Sequence, residues 1–367
     1  MSMQQTTGLW LIGDDWVSMQ CTHDNTIHAL EPVAHDAALV RFLPAPVDLH
    51  VHGGGGADVM QGREAIEQVL RTHARQGTGA MLATSVTAPV PDIDRFLVDV
   101  ADVMRNPPDK GALLLGAHLE GPFINPNKLG AQPAHAVPVD VEQLEAWLST
   151  GVVRIITYAP EQDPENAVIQ LCDKHGVKAQ MGHTLCSWSQ ALKAINSGVG
   201  VTHLYNAMSG VSHRHGGVAT AALAYSDYAE IITDGIHVDK AAFDLAHRAV
   251  PCLYSVTDAT AAAGMPDGQY KLGSLNIEKR GDSVLLPDGT LAGSCLTQLG
   301  SLGVMTDWGL PWPQIGRLCS TYPAQWLGNE FLGCIAEGAI ANWLELRGDA
   351  VAALWLNGQR REVGGSA

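Results

Sequence analysis

The stretch Asp48-Leu49-His50-Val51-His52, followed at once by four glycines, decides the fold predicted for this chain. Successive side chains of a β-strand point to opposite faces, so His50 and His52 share one face and the apolar residues occupy the other. The glycines allow a sharp turn after the strand and leave its end accessible to a ligand. Two histidines on one face are a metal-binding arrangement, although one core histidine and one solvated histidine would give the same pattern. The rest of the chain distinguishes these two interpretations.

From Val47 onward, short apolar runs alternate with longer segments whose apolar residues recur at three- and four-residue spacing. This alternation is typical of a parallel α/β architecture, and eight units predict a closed (β/α)8 barrel. The predicted strands are Val47–His52, Ala80–Thr87, Leu113–Glu120, Val152–Tyr158, Lys178–His183, Gly200–Tyr205, Glu230–Asp234 and Leu253–Asp258. The predicted helices include Gly62–Gln76, Asp92–Met104, Val141–Leu148, Pro164–His175, Ser187–Ser197 and Lys240–Ala249.

Polar and ionisable side chains gather at the carboxyl ends of these runs. They are His50 with His52, Glu120, His183, His203, Asp234 with His237, and Asp258. The strand carboxyl ends of a (β/α)8 barrel form the face that carries the active site, so these groups should converge on one mouth. Burying ionisable groups is costly unless they are paired or bind a metal. The sequence therefore predicts a functional site at this face.

Both ends of the chain differ from the middle, because they contain short strand-like pieces without helical periodicity. The pieces are Leu9–Ile12, Ala38–Phe42, Trp343–Leu346, Ala352–Leu356 and Gln359–Val363. We predict that residues 1–45 and 335–367 together form one small β-sandwich domain, and that residues 46–334 form the catalytic barrel.

Composition narrows the classes of function. The 367 residues carry a net charge of -16, which disfavours binding to nucleic acid or to an anionic membrane, so an anionic substrate would need a local cation. Seven cysteines without a Cys-x-x-Cys motif argue against a disulfide framework and a zinc ribbon. No signal-peptide pattern and no long apolar run occur, so we expect a cytoplasmic protein.

Imidazole and carboxylate ligands suit zinc, and equally iron or manganese, so the ligand set indicates a divalent transition metal without naming it. Such an ion lowers the pKa of a bound water and polarises a carbonyl, as hydrolysis of an amide requires. Asp258, at the end of the eighth predicted strand, is a candidate general base and later acid, or alternatively only a metal ligand.

Seven strings of the sequence together resemble the amidohydrolase superfamily and, within it, the N-acetylglucosamine-6-phosphate deacetylase family. The strings are Asp48–Gly56, His118–Phe123, Gly182–His183, Thr202–Met208, Asp234–His237, Val256–Thr260 and Leu291–Ser294. The resemblance spans essentially the whole chain in order. It implies a (β/α)8 barrel with a small β-sandwich domain built from both termini, a homodimer, and removal of acetate from an N-acetyl amino sugar 6-phosphate.

The resemblance also implies roles for individual residues. Glu120, His183 and His203 would hold the principal metal ion, Asp258 would shuttle the proton, and His50 with His52 would hold a second ion beside Glu120 and Asp258. One or two ions, Zn2+ or Fe2+, are therefore expected per subunit. The positions implied for substrate binding are Ala131, Gln132, Asn206, Ala207, Arg214, Asp234, His237, Leu291, Ala292 and Gly293.

Among these positions, Arg214 and His237 match the phosphate contacts of the family, and in dimeric relatives this arginine can reach across the interface. Gln132 stands where relatives usually have a histidine that hydrogen-bonds the substrate carbonyl; an amide can donate but cannot become cationic. His135 is an alternative donor. Residues 213–217 also depart from the usual loop, which makes the sugar less certain than the reaction.

Three alternatives remain open from the sequence. The same chemistry on N-acetylgalactosamine 6-phosphate differs at one hydroxyl group, and shared motifs cannot separate the two sugars. Another amidohydrolase would commonly need a carboxylated lysine or a different histidine pattern, whereas Glu120 supplies the bridging carboxylate here. A sugar-phosphate-binding regulator without turnover is the third alternative, and the intact Asp258 argues against it.

Overall fold

The computed structural model describes residues 2–36 and 40–364. Its strands, in chain order, are β1 (Gln4–Ile12), β2 (Asp15–His23), β3 (Ile27–Pro32), β4 (Arg41–Pro44), β5 (Val47–Asp48), β6 (Gly53–Gly54), β7 (Ala57–Asp58), β8 (Ala80–Ser85), β9 (Leu113–Glu120), β10 (Val153–Tyr158), β11 (Lys178–Met181), β12 (Gly200–Val201), β13 (Tyr228–Ile232), β14 (Cys252–Val256), β15 (Gly268–Leu272), β16 (Leu275–Arg280), β17 (Ser283–Leu285), β18 (Trp343–Arg347), β19 (Ala350–Leu356) and β20 (Gln359–Glu362). The helices are α1 (Arg63–Arg75), α2 (Val90–Arg105), α3 (Val141–Ser149), α4 (Ala167–His175), α5 (Trp188–Asn196), α6 (Val218–Tyr225), α7 (Lys240–Ala249), α8 (Gln298–Asp307), α9 (Trp312–Gly316) and α10 (Tyr322–Trp326).

Eight parallel strands form the central sheet in the order β14-β13-β12-β11-β10-β9-β8-β5. Beyond the regular ladders, the first and last strands meet where the Asp258 backbone N–H donates to the His50 carbonyl (3.0 Å) and the His52 N–H donates to the Ala259 carbonyl (2.8 Å). These bonds close the sheet around its interior. The predicted (β/α)8 barrel is confirmed, and each predicted strand overlaps one observed strand, although β13 and β14 begin two residues and one residue before the predicted starts.

The helices pack an apolar stripe against the outside of the barrel. In α1, Ile66, Val69 and Leu70 are fully buried, which is the three- and four-residue spacing that predicted this helix. Several helices begin at a side-chain cap; Ser187 accepts a hydrogen bond from the Gln190 backbone N–H at the start of α5. The six helices predicted from periodicity are all present, with ends shifted by at most a few residues.

Both termini contribute to one seven-stranded sheet with the order β20-β19-β18-β4-β1-β2-β3. Its centre is β4, which pairs in parallel with β1 and antiparallel with β18. Trp10, Phe42 and Trp343 form an aromatic cluster on this sheet, with ring centroids of Trp10 4.4 Å from Phe42 and 5.0 Å from Trp343. A separate small β domain made of both chain ends is therefore confirmed. Of the predicted piece Ala38–Phe42, Ala38 and Leu39 lie outside the described residues.

The glycines after the histidine pair form a tight hairpin. Strands β6 and β7 pair antiparallel around Gly55 and Gly56, whose φ angles are +63° and +84°, a region that glycine adopts without strain. A Cβ atom on Gly53 would lie 2.5 Å from the Ala261 backbone nitrogen, so this position also needs glycine. The sharp turn predicted from the sequence is present.

The three-stranded antiparallel sheet β15-β16-β17 follows the eighth barrel strand and was not predicted. Leu272, at the end of β15, reaches the cavity at the barrel mouth, as does Leu291, which follows β17. This sheet therefore completes one wall of the site. Across residues 2–36 and 40–364, no helix has the length and apolar character needed to cross a bilayer.

Candidate metal centre and active site

Two groups of metal-ligating side chains meet at the carboxyl ends of the barrel strands. The first is Glu120, His183 and His203; the second is His50, His52 and Asp258. Within each group, one potential ligand atom from every residue lies within 4.8 Å of the others, and all six residues are buried. The structure thus brings together the whole set of residues that the sequence nominated as metal ligands.

Glu120 lies between the two groups and presents one oxygen mainly to each. Its Oε1 lies 3.1 Å from His183 Nε2 and 3.0 Å from His203 Nε2. Its Oε2 lies 3.3 Å from His52 Nε2. His52 Nε2 in turn lies 3.2 Å from Asp258 Oδ1. A carboxylate placed in this way can bridge two cations.

Three imidazoles donate a hydrogen bond from Nδ1, and this bond sets the direction of the lone pair on Nε2, the ring nitrogen that faces the cluster. The Nδ1–H of His50 donates to Glu230 Oε2 (2.9 Å), that of His52 to the Thr84 carbonyl (3.0 Å), and that of His183 to the Lys128 carbonyl (2.9 Å). These acceptors hold the Nδ1–H tautomer, which leaves a lone pair on Nε2 of each neutral ring.

The Nε2 atoms face one another at short range. The His50 and His52 atoms are 3.2 Å apart, and the His183 and His203 atoms are 3.1 Å apart. Neutral rings with lone pairs that converge at this distance repel each other unless a proton or a cation lies between them. The donor set of these residues therefore fits a divalent transition metal.

The pKa values of His50, His52 and Glu120 also favour a bound cation at these clusters. Burial by itself would lower the pKa of His50, but Glu120, Glu230 and Asp258 outweigh it and raise that pKa well above its usual value. Burial likewise opposes charge on His52, yet hydrogen bonds to Asp258 and Glu120 raise its pKa to about 9. Burial would raise the pKa of Glu120, whereas His50 and His183 bring it well below the usual range. Without a metal, protonated imidazoles balance the buried carboxylates.

A third group, His50, His118 and Glu230, also has potential ligand atoms close together. His118 is not available as a ligand, because its Nδ1–H donates to the Leu49 carbonyl (2.9 Å) and its Nε2 contacts Thr157 Oγ1 at 2.8 Å. Burial, followed by the neighbouring His50, lowers the pKa of His118 to about 4, so the ring is neutral. We therefore do not assign this group as a third metal site.

Three candidate ligands have positive φ angles although they are not glycine. The values are +47° at His183, +27° at His203 and +50° at Asp258. Such backbone conformations are uncommon for non-glycine residues and cluster at functional sites, where the surrounding structure holds them. They also explain why β11, β12 and β14 end two residues before their ligands.

The clusters open into a cavity of about 250 Å³. Seven of the ten positions nominated for substrate binding line it: Ala131, Gln132, Asn206, Ala207, His237, Leu291 and Gly293. Ala292 is buried, and Asp234 is not a lining residue but accepts a hydrogen bond from His237, which is one. Arg214 is exposed and lies outside the lining, and none of the described lining residues is lysine or arginine.

His237 is the candidate anion contact inside the cavity. Its Nδ1–H donates to Asp234 Oδ2 (2.6 Å), and its backbone N–H donates to Asp234 Oδ1 (2.8 Å). Burial opposes protonation of His237, but Asp234 and then Asp258 outweigh it and raise the pKa of the ring. Asp234 is thus a support for a cationic imidazole.

Gln132 is buried and its amide is held at both ends. Its Oε1 accepts a hydrogen bond from the Thr87 backbone N–H (2.6 Å), and its Nε2 donates to Glu120 Oε2. One of its two amide protons is therefore directed at the carboxylate between the clusters. His135, the alternative donor, is exposed and does not line the cavity.

Sequence patterns did not find Glu230, which lies inside the barrel and contacts His50. It is the first residue of the predicted strand Glu230–Asp234 and lies within the observed β13, and only the cost of burying a lone acid there could have singled it out. Leu272 and Thr290 also line the cavity and were missed, because the sheet that carries Leu272 and the loop after it that carries Thr290 were not predicted.

A (β/α)8 barrel with buried imidazole and carboxylate groups at its strand carboxyl ends is the architecture of a metal-dependent hydrolase. The chain matches the model of the Amidohydrolase family over residues 42–358, and it belongs to that family, whose members use divalent metals.

Individual relatives narrow the class further. The chain is 36% identical over 330 residues to the N-acetylglucosamine-6-phosphate deacetylase of Vibrio furnissii, covering 87% of this chain and 82% of the relative. It is 35% identical over 352 residues to the N-acetylgalactosamine-6-phosphate deacetylase of Escherichia coli O157:H7, covering 92% of each. A solved N-acetyl-D-glucosamine-6-phosphate deacetylase mutant from Mycobacterium smegmatis, in complex with N-acetyl-D-glucosamine-6-phosphate, has a TM-score of 0.90 and 30% identity and covers 98% of this chain and 99% of its own.

Proposed function

We propose that this enzyme hydrolyses the N-acetyl group of N-acetyl-D-glucosamine 6-phosphate to give glucosamine 6-phosphate and acetate, a step of amino-sugar catabolism. The observation that carries the proposal is Glu120, whose two oxygens face two histidine clusters at the base of the cavity. The deacetylases named above, similar over most of the chain, support the substrate class.

Glu120, His183 and His203 would hold the principal ion, and His50 and His52 would hold a second ion with Glu120 and Asp258. Both Zn2+ and Fe2+ suit imidazole and carboxylate ligands, and the paired lone pairs of His50 and His52 favour two ions over one. When bound, such ions polarise the amide carbonyl and lower the pKa of water toward neutrality.

Asp258 is the proposed proton carrier. It lines the cavity and its Oδ1 lies beside His52, so its carboxylate borders the space in which an attacking water would lie. Asp258 accepts the proton of that water and then donates it to the amine leaving group. Gln132 can direct its remaining amide proton at the acetyl carbonyl, while Asn206, Ala207, Leu291 and Gly293 enclose the sugar.

The substrate phosphate would be bound by His237 and Arg214. His237 supplies a cationic imidazole inside the cavity, and Arg214 is exposed on the surface of one subunit. We therefore propose a homodimer in which Arg214 enters the cavity of the partner subunit, since a guanidinium binds phosphate through paired hydrogen bonds.

Complementation between two inactive variants tests this arrangement. Arg214→Ala and Asp258→Asn subunits should each be nearly inactive alone, yet their mixture should regain activity after subunit exchange. A mixed dimer of this kind contains one site with both residues when Arg214 acts across the interface. If Arg214 acts within its own subunit, no mixed site is complete and mixing restores nothing.

N-acetyl-D-galactosamine 6-phosphate is the second candidate substrate, because a relative at 35% identity carries that name. We propose a cytoplasmic location, because all seven cysteines lie among the described residues as free thiols. The domain boundaries proposed are residues 1–45 with 335–367 for the small β domain and 46–334 for the barrel.

Acetate release tests the proposed reaction. The purified protein, loaded separately with zinc and with ferrous iron under reducing conditions, is incubated with each sugar phosphate and with N-acetylglucosamine lacking phosphate. We expect release from N-acetylglucosamine 6-phosphate, weaker release from its epimer and little from the neutral sugar. Binding without release, in protein shown to contain metal, would instead identify a sugar-phosphate-binding regulator.

A further inference from the structure

Glu230 is a carboxylate buried inside the barrel, below the catalytic clusters. It lies on β13 and has no exposed surface. The interior of such a barrel is normally filled by branched apolar side chains, and an isolated buried acid is costly. Its presence therefore needs a compensating interaction.

All four lone-pair directions of Glu230 have a hydrogen-bond donor nearby. Its Oε2 accepts from the Nδ1–H of His50 (2.9 Å) and from the backbone N–H of His203 (3.2 Å). Its Oε1 accepts from Gln180 Nε2 (2.9 Å) and is approached by the Tyr254 hydroxyl (3.4 Å). Glu230 thus contacts one candidate ligand from each of the two metal clusters.

The bond to His50 determines what that ring offers to the cavity. With its proton held on Nδ1 by Glu230, the ring presents a lone pair at Nε2, which lies 3.2 Å from His52 Nε2 and 3.6 Å from Asp258 Oδ1. Without the carboxylate, the ring can rotate or move its proton to Nε2. Carboxylates behind ligating histidines raise their basicity and fix their orientation.

We infer that Glu230 is a positioning residue that sets the orientation and tautomer of His50 and thereby maintains the second metal position. This inference rests on the proposed function, but it concerns metal binding and is measured separately from turnover. Glu230 touches the His203 backbone only at its N–H, so the position formed by Glu120, His183 and His203 depends on it less.

Three variants separate positioning from simple stability. Glu230→Leu removes the carboxylate and keeps an apolar filling. Glu230→Gln keeps one side-chain oxygen, which can accept the hydrogen bond from His50. Its new amide nitrogen then faces Gln180, whose amide group can flip so that its oxygen accepts from that nitrogen. Tyr254→Phe is the matched control, since the hydroxyl it removes bonds Gln180 Oε1 (2.6 Å) and lies 3.4 Å from Glu230 Oε1, whereas the bond to His50 is made by Glu230 Oε2.

Zinc binding to each protein is measured by titration against a competing chelator, and the metal retained after dialysis is counted by mass spectrometry. We expect two ions in the parent protein and one in Glu230→Leu, whose second ion binds about 10- to 100-fold more weakly. Glu230→Gln should lie between them and recover turnover when zinc is raised. Tyr254→Phe should bind both ions within about twofold of the parent.

Several outcomes would overturn the inference. They are unchanged zinc affinity in a folded Glu230→Leu protein, equal weakening of both ions, and a Tyr254→Phe protein as impaired as Glu230→Leu. A parent protein that binds only one ion would also overturn it. In that last case acetate release by the parent would leave the proposed function intact, so the two failures are distinguishable.

Discussion

Two buried carboxylates, Glu345 in the terminal sheet and Glu120 at the barrel mouth, are stabilised in different ways. Glu345 accepts hydrogen bonds from Arg360 Nε (2.7 Å), Arg347 Nε (3.2 Å) and Trp355 Nε1 (3.1 Å). Glu120 has four imidazoles and the Gln132 amide around it, and none of these is a permanent cation.

This difference separates a structural from a functional use of buried charge. Burial opposes ionisation of Glu345, but Arg360 outweighs it and lowers the pKa, so the sheet balances this charge with its own residues. The barrel mouth balances its carboxylates only by taking up protons or a metal ion. Variants at the two positions should therefore fail in different ways.

Glu120→Ala should give the largest effect, because one side chain faces both metal positions. We expect kcat/KM to fall by more than about 1,000-fold, since a catalytic metal supplies several kcal/mol of transition-state stabilisation. Acetate release and metal content check this together. Full activity, or two tightly bound ions, in the variant would show that Glu120, like Glu345, has only a structural role.

Asp258→Asn should lower kcat by about 100- to 10,000-fold, the range typical for loss of a general acid–base group. The amide has nearly the same shape but cannot carry the proton. Because Glu120, His183 and His203 do not include Asp258, one metal ion should remain. An equal loss of both ions would show that Asp258 acts mainly as a ligand.

Removal of the metal should make stability depend on pH between about 6.5 and 9. The pKa of His52 rises from 6.5 to about 9 in the folded metal-free chain. Its contribution is complete below pH 6.5 and is lost as the pH rises through 9, an upper limit of about 3 kcal/mol. Urea unfolding of the chelated protein at several pH values measures this loss.

The metal-loaded protein is the control for this experiment. Its ligating imidazoles are already deprotonated, so stability should vary much less over the same pH interval. An equally steep change with metal present would mean that groups outside the two clusters cause it.

Gln132→His should preserve turnover or raise it within a few-fold, since a histidine at this position is usual among the relatives that the sequence resembles. Gln132→Ala should lower kcat about tenfold, because it leaves the Thr87 N–H without its acceptor and removes a donor to Glu120. A large loss in Gln132→His would identify the glutamine as a specificity element.

Glu345→Gln should have the smallest effect on catalysis and a measurable one on stability. Loss of the charge weakens its bonds to Arg360 and Arg347 and should reduce the free energy of unfolding by about 1–3 kcal/mol. Chemical denaturation gives the stability change, and acetate release should stay within about twofold of the parent. A large loss of activity would show that the terminal sheet influences the barrel mouth.

Much of the site was predictable because its signals are local. His50 and His52 follow the two-residue period of a strand, and Glu120, His183 and Asp258 follow apolar runs, so barrel topology alone places them together. The unpredicted parts depend on tertiary contacts. Glu230 resembles an ordinary polar residue within a strand until its contact with His50 is seen.

Two further features lay beyond the sequence for similar physical reasons. The sheet β15-β16-β17 has mostly half-exposed strands with mixed polar residues, so it lacks a strong apolar alternation. The exposure of Arg214 depends on where a loop leaves the barrel, and motif spacing does not encode this. Charge and motif predicted an arginine for phosphate binding, but its distance from the cavity required the structure.

The position of β4 imposes an order on the biosynthesis of this enzyme. β4 leaves the ribosome long before its neighbour β18, because the whole barrel lies between them in the chain. Until then one edge of β4 has no strand partner, which is a known liability for association between nascent chains. The second metal position must likewise wait until Asp258 has been made and docked beside His50. A prematurely terminated chain would thus have an open sheet edge and an incomplete catalytic centre.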